Sequence, residues 1–429
     1  MGRMYDLIIL EPTSSEAGLR TAEHVCKFLR KDIRWAVAGR DIDEMGECVE
    51  GLKGLKEMGG RSVPAIEVCA STKEDIQALA RRTKVIINML DVGDGRGEMV
   101  VEACAGNGTH YLDSANDIHW LGGMIWKYHD VARENKSIIL SHVSVESTPQ
   151  DLLSLCAVME LKNKLNLQTR EVVCAINELS YPPPISSSRP KSRRSTSSTS
   201  TSSMSTSSSA PLKSPRHPPL NPWFLSHTQG RTCTASSLNT RASPRRELTL
   251  GLLSPSTTLS SQQTRVLVHR SWALLDSGRC YGEDFYYNEY REVKPCREGV
   301  REKMGLGWVR RLCGQEERRG QGVGSSNSSL GSRENKVSSN SNGNISLRAI
   351  AIAAQEGPFP DRALAELSYG NSAAQLTAAF LAEGAATILY TKGLLKRVGG
   401  GGVLTPAVLG MEFVERLGRV GVEVRGELV

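Results

Sequence analysis

From residue 4 to residue 142, short apolar or β-branched runs alternate with segments whose apolar positions recur at helical spacing. Six runs read as strands: Tyr5–Leu10, Arg34–Ala38, Ala65–Cys69, Lys84–Leu90, Thr109–Leu112 and Ser137–His142. Strands that alternate with helices are covered on both faces, the grammar of βαβ units and a parallel sheet. The clearest helix is expected from Asp117 to about Glu134, where Ile118, Leu121, Ile125 and Tyr128 form one stripe; Met99, Val100 and Ala103 do the same before Gly106. Ser147-Thr148-Pro149 then supplies a cap and an early proline for an apolar helix through Leu165, and Glu171–Glu178 follows as a strand.

The rhythm stops at Tyr181. Pro182-Pro183-Pro184 leads into 186–209, almost wholly Ser, Thr, Arg and Lys, which cannot bury enough surface to offset ordering its backbone. An island returns with Ser271-Trp272-Ala273-Leu274-Leu275 and Phe285-Tyr286-Tyr287, before a second tract rich in Gly, Ser, Arg and Asn. The tail regains globular patterning: Ile345–Ala353 and Arg362–Tyr369 read as paired strands around Gly357-Pro358, and 373–390 as an alanine-rich helix. Gly399–Gly402 reads as a hinge before a short helix at Met411–Gly418, since four glycines without a following Lys-Ser/Thr make a weak phosphate loop. The expected architecture is therefore α/β: a Rossmann-type parallel sheet over 1–146 and a second, mixed α+β domain interrupted by disordered segments. That second domain starts at 147–181, is broken by a low-complexity tract at 182–263, resumes at 264–296, is broken again at 297–344 and ends with 345–429.

Charge sharpens this division. Of the formal net +7, the middle accounts for all: 183–344 holds 24 Lys and Arg against 11 Asp and Glu, while the rest holds 29 against 35. No aromatic platform accompanies the basic stretch, so it reads as a solvated segment and not as a specific nucleic-acid surface. The ten cysteines form no Cys-x-x-Cys pair and several sit in apolar runs, which suits reduced thiols of an intracellular, cytoplasmic protein. The first strand begins almost at once, which leaves no room for a secretory leader before it. The stretch nearest to a membrane span, 373–390, carries Gln375 and Glu383.

Three local patterns carry the candidate chemistry. Tyr5-Asp6-Leu7-Ile8-Ile9-Leu10 runs into Glu11-Pro12-Thr13-Ser14-Ser15-Glu16-Ala17-Gly18 and a helix; Trp35-Ala36-Val37-Ala38-Gly39-Arg40 ends the second strand on an arginine; and Val101-Glu102-Ala103-Cys104 leads to Thr109-His110-Tyr111-Leu112-Asp113. Together they resemble the NADP-binding domain of fungal saccharopine dehydrogenase-like oxidoreductases. The resemblance covers 4–180, 266–290 and the tail from about Arg348 to Leu417, including Gly400-Gly401-Gly402-Val403-Leu404-Thr405-Pro406-Ala407. It skips 182–260 and 297–344, and because family-like sequence resumes after each, these tracts read as foreign inserts of the kind an unspliced intron or a frame change leaves.

The resemblance implies NADP, held by Thr13, Ser14, Gly18, Gly39, Arg40 and Asn88. Arg40 would pair with the 2′-phosphate, whereas an acidic residue at that place would bind the free ribose of NAD. Against this, the glycines of the family's turn fall on Glu11, Ser14 and Ala17. A carboxylate near pyrophosphate costs roughly 3 kcal/mol at about 5 Å and an effective dielectric of ~20, on the order of a hundredfold in affinity. Asp91 and Asp94 add further negative charge, and Asp113 reads as a helix cap in preference to a substrate-side residue at the strand end. His110, His119, His129 and His142 have no metal spacing and read as structural; no catalytic residue is assigned. The resemblance implies hydride transfer to an unsaturated or carbonyl, lipid- or polyketide-like small molecule, as in trans-acting enoyl reductases, with a lipid droplet or membrane surface as the associated location. The competing reading is a non-catalytic Rossmann scaffold with an eroded cofactor turn; weakest is a basic Ser/Arg-rich interaction protein.

Overall fold

The computed structural model describes residues 2–55, 63–69, 71–90, 95–178, 244–256, 258–292 and 345–429. The first six strands are β1 (Tyr5–Leu10), β2 (Trp35–Gly39), β3 (Ala65–Val68), β4 (Thr83–Asn88), β5 (His110–Asp113) and β6 (Ile138–Leu140). Their boundaries fall within one or two residues of those the apolar runs predict. All pair in parallel, in the order β6-β5-β4-β1-β2-β3, so β1 is central and the strand order reverses beside it. Leu7, Ile8, Ile9 and Leu10 are wholly buried because helices cover both faces of the sheet.

The helices between these strands start on side chains that accept orphan amides. Ser15 caps α1 (Glu16–Phe28), Asp41 caps α2 (Ile42–Lys53) and Thr72 caps α3 (Lys73–Arg82). Next come α4 (Arg96–Asn107) and α5 (Ile118–Glu134). α5 is capped by Asp117, which accepts from His119 N and Trp120 N, so Asp113, expected as the cap, has a different role. Asp113 ends β5 several residues too early to reach the first turn of α5.

The second sheet is mixed: β7 (Thr169–Glu178), β8 (Arg245–Glu247), β9 (Gly251–Pro255), β10 (Tyr286–Glu292), β11 (Ile345–Ala353), β12 (Arg362–Tyr369) and β14 (Glu423–Leu428) lie in the order β14-β12-β11-β7-β10-β9-β8. β11 and β12 pair antiparallel with Ile345 opposite Tyr369, as expected. α6 (Thr148–Leu165), preceded by Ser147, packs against β11, β12 and β14. The β8–β9 hairpin falls inside the span read as low complexity. It is ordered by burying Leu250 and Leu253 against Val173, Tyr290, Ile350 and Leu364, and by Glu247 pairing with Arg362.

Two features join the sheets. α8 (Ala373–Tyr390), the alanine-rich helix, lies along α1 and against β4 and β5, and Gly384 lets it approach until an added Cβ would stand 3.0 Å from Leu112. Its Glu383 is buried but partnered, 3.1 Å from His24 Nε2 and 3.7 Å from Arg416. Among the described residues no helix is long and apolar enough to cross a membrane. The second feature is the four-glycine run, which feeds a seventh parallel strand, β13 (Gly402–Leu404), onto the outer edge of β6. Gly401 and Gly402 have φ of 119° and 122°, and a Cβ would meet Ser137 O at 2.3 Å or the His129 ring at 2.7 Å. The run therefore serves close backbone approach, and the hinge reading is corrected. Arg270, buried on α7 (Leu259–Leu274), donates to Val403 O at 2.6 Å and ties the second half of the molecule to this strand.

Candidate dinucleotide site at the carboxyl edge of the parallel sheet

In an open α/β sheet the crevice forms beyond the carboxyl ends of the strands, where the strand order reverses. Here that point lies between β1 and β4. The chain leaves β1 at Glu11, a non-glycine residue in the left-handed region (φ 53°, ψ 52°), enters a 3-10 turn over Pro12–Ser14 and starts α1 after Ser15. Gly18 is required by this turn, since a Cβ would stand 2.3 Å from Pro12 O. It packs the helix against the turn, which is what the third glycine of such motifs does. Ser14 Oγ donates to Met89 O at 2.7 Å and Met89 N to Leu10 O at 3.0 Å, so the turn is pinned across the reversal point. Thr13 Oγ1 donates to Glu44 at 3.3 Å on the surface.

Ser15 Oγ takes the amide of Gly18, and no partner is found for the amides of Glu16 and Ala17 among the described residues. Those two donors, with the positive end of the helix dipole, suit a phosphate. Glu16 in the same turn opposes it.

At the end of β2, Gly39 lies close under α2, with an added Cβ 2.9 Å from the flexible Met45 side chain. The Arg40 side chain is 59% exposed, and its Nε lies 3.4 Å from Glu11 Oε1. The same oxygen accepts the Arg40 amide at 3.1 Å. Glu11 is thus the partner of the very residue expected to hold a 2′-phosphate. Its second oxygen, Oε2, has no hydrogen bond among the described residues.

A buried polar network that the sequence reading did not assemble occupies the carboxyl ends of β4, β5 and β6. Asn88 donates to Tyr111 OH at 3.0 Å and accepts from Leu90 N; Tyr111 OH donates to Asp113 Oδ2 at 2.7 Å. Asp113 Oδ1 takes Ser141 Oγ at 2.7 Å and the amides of Ala115 and His142. Burial raises the Asp113 pKa, and the surrounding donors oppose that rise. Ser141 gives its hydrogen to Asp113, so at 3.3 Å it accepts from His142 Nδ1–H, which leaves Nε2 of a neutral imidazole as a bare acceptor. Burial pushes the His142 pKa down to about 4, its φ is 62°, and its Nε2 is buried with no hydrogen-bond partner among the described residues. Asn88, expected to line the cofactor groove, is thus 1% exposed and engaged within this network. Asp91 and Asp94 lie outside the described residues. His110 accepts Ile138 N and His129 accepts Val403 N, which are structural roles.

The arrangement defines a class: a Rossmann-like parallel sheet with two helix-terminal amides and a carboxylate–guanidinium pair at the carboxyl ends of its central strands. Residues 20–140 match the family model described as "Saccharopine dehydrogenase NADP binding domain". Residues 20–140 thus resemble that family's NADP-binding domain, and the match begins after β1 and its turn. The bovine saccharopine dehydrogenase-like oxidoreductase is 29% identical over 148 residues, 34% of this chain and 33% of that protein. A lipid droplet localized protein of Caenorhabditis elegans is 29% identical over 152 residues, 34% and 35% of the two chains. The aligned region thus spans about a third of the relatives' length. Apo saccharopine dehydrogenase (L-Glu forming) from Saccharomyces cerevisiae shares the fold over 99% of this chain and 100% of that one, with a TM-score of 0.53 and 10% identity.

Proposed function

We propose that the chain is a nicotinamide dinucleotide-dependent oxidoreductase that reduces an unsaturated or carbonyl group of a lipid- or polyketide-like small molecule. The observation that supports this is the reversal of strand order between β1 and β4, where α1 starts with no hydrogen-bond partner for the amides of Glu16 and Ala17 among the described residues, in a region similar to oxidoreductases. When bound, the dinucleotide supplies or accepts a hydride. The chain's own part is to seat a phosphate on the N-terminus of α1, hold the adenosine end between Glu11 and Arg40, and present the β4–β6 edge to the reacting end. There His142 Nε2 is the candidate acceptor for a substrate hydrogen bond. The lipid-like substrate is supported by the lipid droplet relative and by the likeness to trans-acting enoyl reductases, and association with a lipid surface is part of the same reading. The NADP implied by Arg40 requires that residue to leave Glu11.

The test is isotope transfer. Full-length protein is incubated with 4-deuterated NADH or NADPH and a panel of enoyl and carbonyl lipids. Deuterium in one product class supports the reading, and its absence from all, with reduced cofactor unconsumed, argues against it.

A second reading, a scaffold that has lost its cofactor, is favoured by one observation: the Glu11–Arg40 pair and the Ser14–Met89 bridge hold the turn in place without a ligand.

A further inference from the structure

We infer that the adenosine end of the crevice takes an unphosphorylated ribose and rejects a 2′-phosphate, because Glu11 Oε1 neutralises Arg40 while Glu11 Oε2 is left as an acceptor for a ribose diol. The inference rests on the dinucleotide reading above and refines which dinucleotide that site accepts.

A 2′-phosphate is recognised by a cation with free donors at the end of β2, and a free ribose by a carboxylate there whose oxygens accept the diol hydroxyls. In this chain the carboxylate comes from β1, not from β2. The left-handed conformation of Glu11 turns its side chain to the end of β2, where Oε1 accepts the Arg40 amide at 3.1 Å and contacts Nε at 3.4 Å. Glu11 is 6% exposed, so water screens its charge less than that of a surface carboxylate. Two donors of Arg40, its amide and Nε, are thus directed at a carboxylate, and the exposed outer part of the guanidinium can lie over an adenine face.

The surrounding charge points the same way. α2 opens immediately after Arg40 with Asp41, Asp43 and Glu44, and Thr13 from the β1 turn leans on Glu44. A phosphate dianion entering here meets the already paired Arg40 and carboxylates from two elements. A neutral diol meets no such repulsion and gains a charge-assisted hydrogen bond.

The experiment is a fluorescence titration of the full chain with NADH and with NADPH, repeated on Glu11→Gln, Glu11→Gly and Arg40→Ala variants whose folding is checked by circular dichroism. NADH is expected to bind on the order of a hundredfold more tightly than NADPH. Glu11→Gly, which removes the carboxylate and suits the positive φ, is expected to bring NADPH level with NADH or ahead of it; Glu11→Gln moves the ratio in the same direction. Arg40→Ala added to Glu11→Gly removes the NADPH gain. NADPH binding to the unaltered chain as tightly as NADH, or a ratio unmoved by Glu11→Gly, overturns the inference while leaving the oxidoreductase reading intact. Binding of neither cofactor by any variant overturns both.

Discussion

Asp151 should make the fold weaker as pH rises from about 4 toward 7. It is buried where α6, α7 and the turn after β13 meet: Oδ1 lies 2.6 Å from Ser271 Oγ, Oδ2 accepts Ala407 N at 2.8 Å, and Ser271 Oγ also reaches Thr405 Oγ1 at 2.7 Å. Burial pushes its pKa up to about 7, with the bonds from Ser271 and Ala407 opposing. A protonated Oδ1 can donate to Ser271, which then donates to Thr405, so the neutral acid completes the network. Because the folded pKa exceeds the unfolded value near 3.8, the folded chain keeps a proton that the unfolded chain loses. Stability therefore falls between about pH 4 and 7 and the cost is complete above 7. The rise from 3.8 to about 7 corresponds to roughly 4 kcal/mol. Asp151→Asn keeps the shape, with Nδ2 donating to Ser271 and Oδ1 accepting from Ala407. Urea unfolding of both proteins at pH 5 and pH 8 should show the variant's relative stability roughly 2–3 kcal/mol higher at pH 8 than at pH 5. An equal difference at the two pH values would refute the reasoning, because Asp151 would then not titrate in this window.

Other consequences follow from the same contacts. Gly401→Ala, whose Cβ would meet Ser137 O at 2.3 Å with φ at 119°, should cost at least about 3 kcal/mol by loosening β13, read as a lower Tm; an unchanged Tm would mean that the strand is not held there. Glu383→Ala should cost roughly 3–5 kcal/mol by leaving His24 and Arg416 without their buried partner, with Glu383→Gln recovering part of it in chemical unfolding. Burial lowers the pKa of His110 and His142 to about 4 and of His269 to about 3, so the unfolded chain takes up protons first. Stability should then fall as pH drops from about 6.5 toward 4, and His142→Gln should flatten that slope by roughly 3 kcal/mol, checked by unfolding and by NMR titration of the imidazoles.

The parallel sheet was legible because each of its first six strands is an apolar run bounded by turn residues, a local signal. β13 was not, since Gly402-Val403-Leu404 is three residues long and is ordered by an edge of β6 more than 260 residues away in sequence. Its glycines announce conformational freedom without saying which backbone they approach. The β8–β9 hairpin was hidden for a related reason: its order comes from Leu253 and Glu247 meeting distant residues, within a stretch whose composition reads as solvated. At the site, the missing glycines and the arginine ending β2 were visible, and so were their opposite charges. That Glu11 and Arg40 answer each other across two strands required the register of β1 with β2. The Tyr111–Asp113–Ser141–His142 network was invisible for the same reason, since its bonds run between parallel strands and only the Tyr-x-Asp and Ser-His spacings appear along the chain.

The central claim, that the crevice between β1 and β4 holds a nicotinamide dinucleotide, is tested most directly by a crystal structure of the full chain soaked with NADH. The account predicts pyrophosphate density over the amides of Glu16 and Ala17 and the adenosine ribose against Glu11. An empty crevice at saturating NADH, or dinucleotide bound elsewhere, would contradict it.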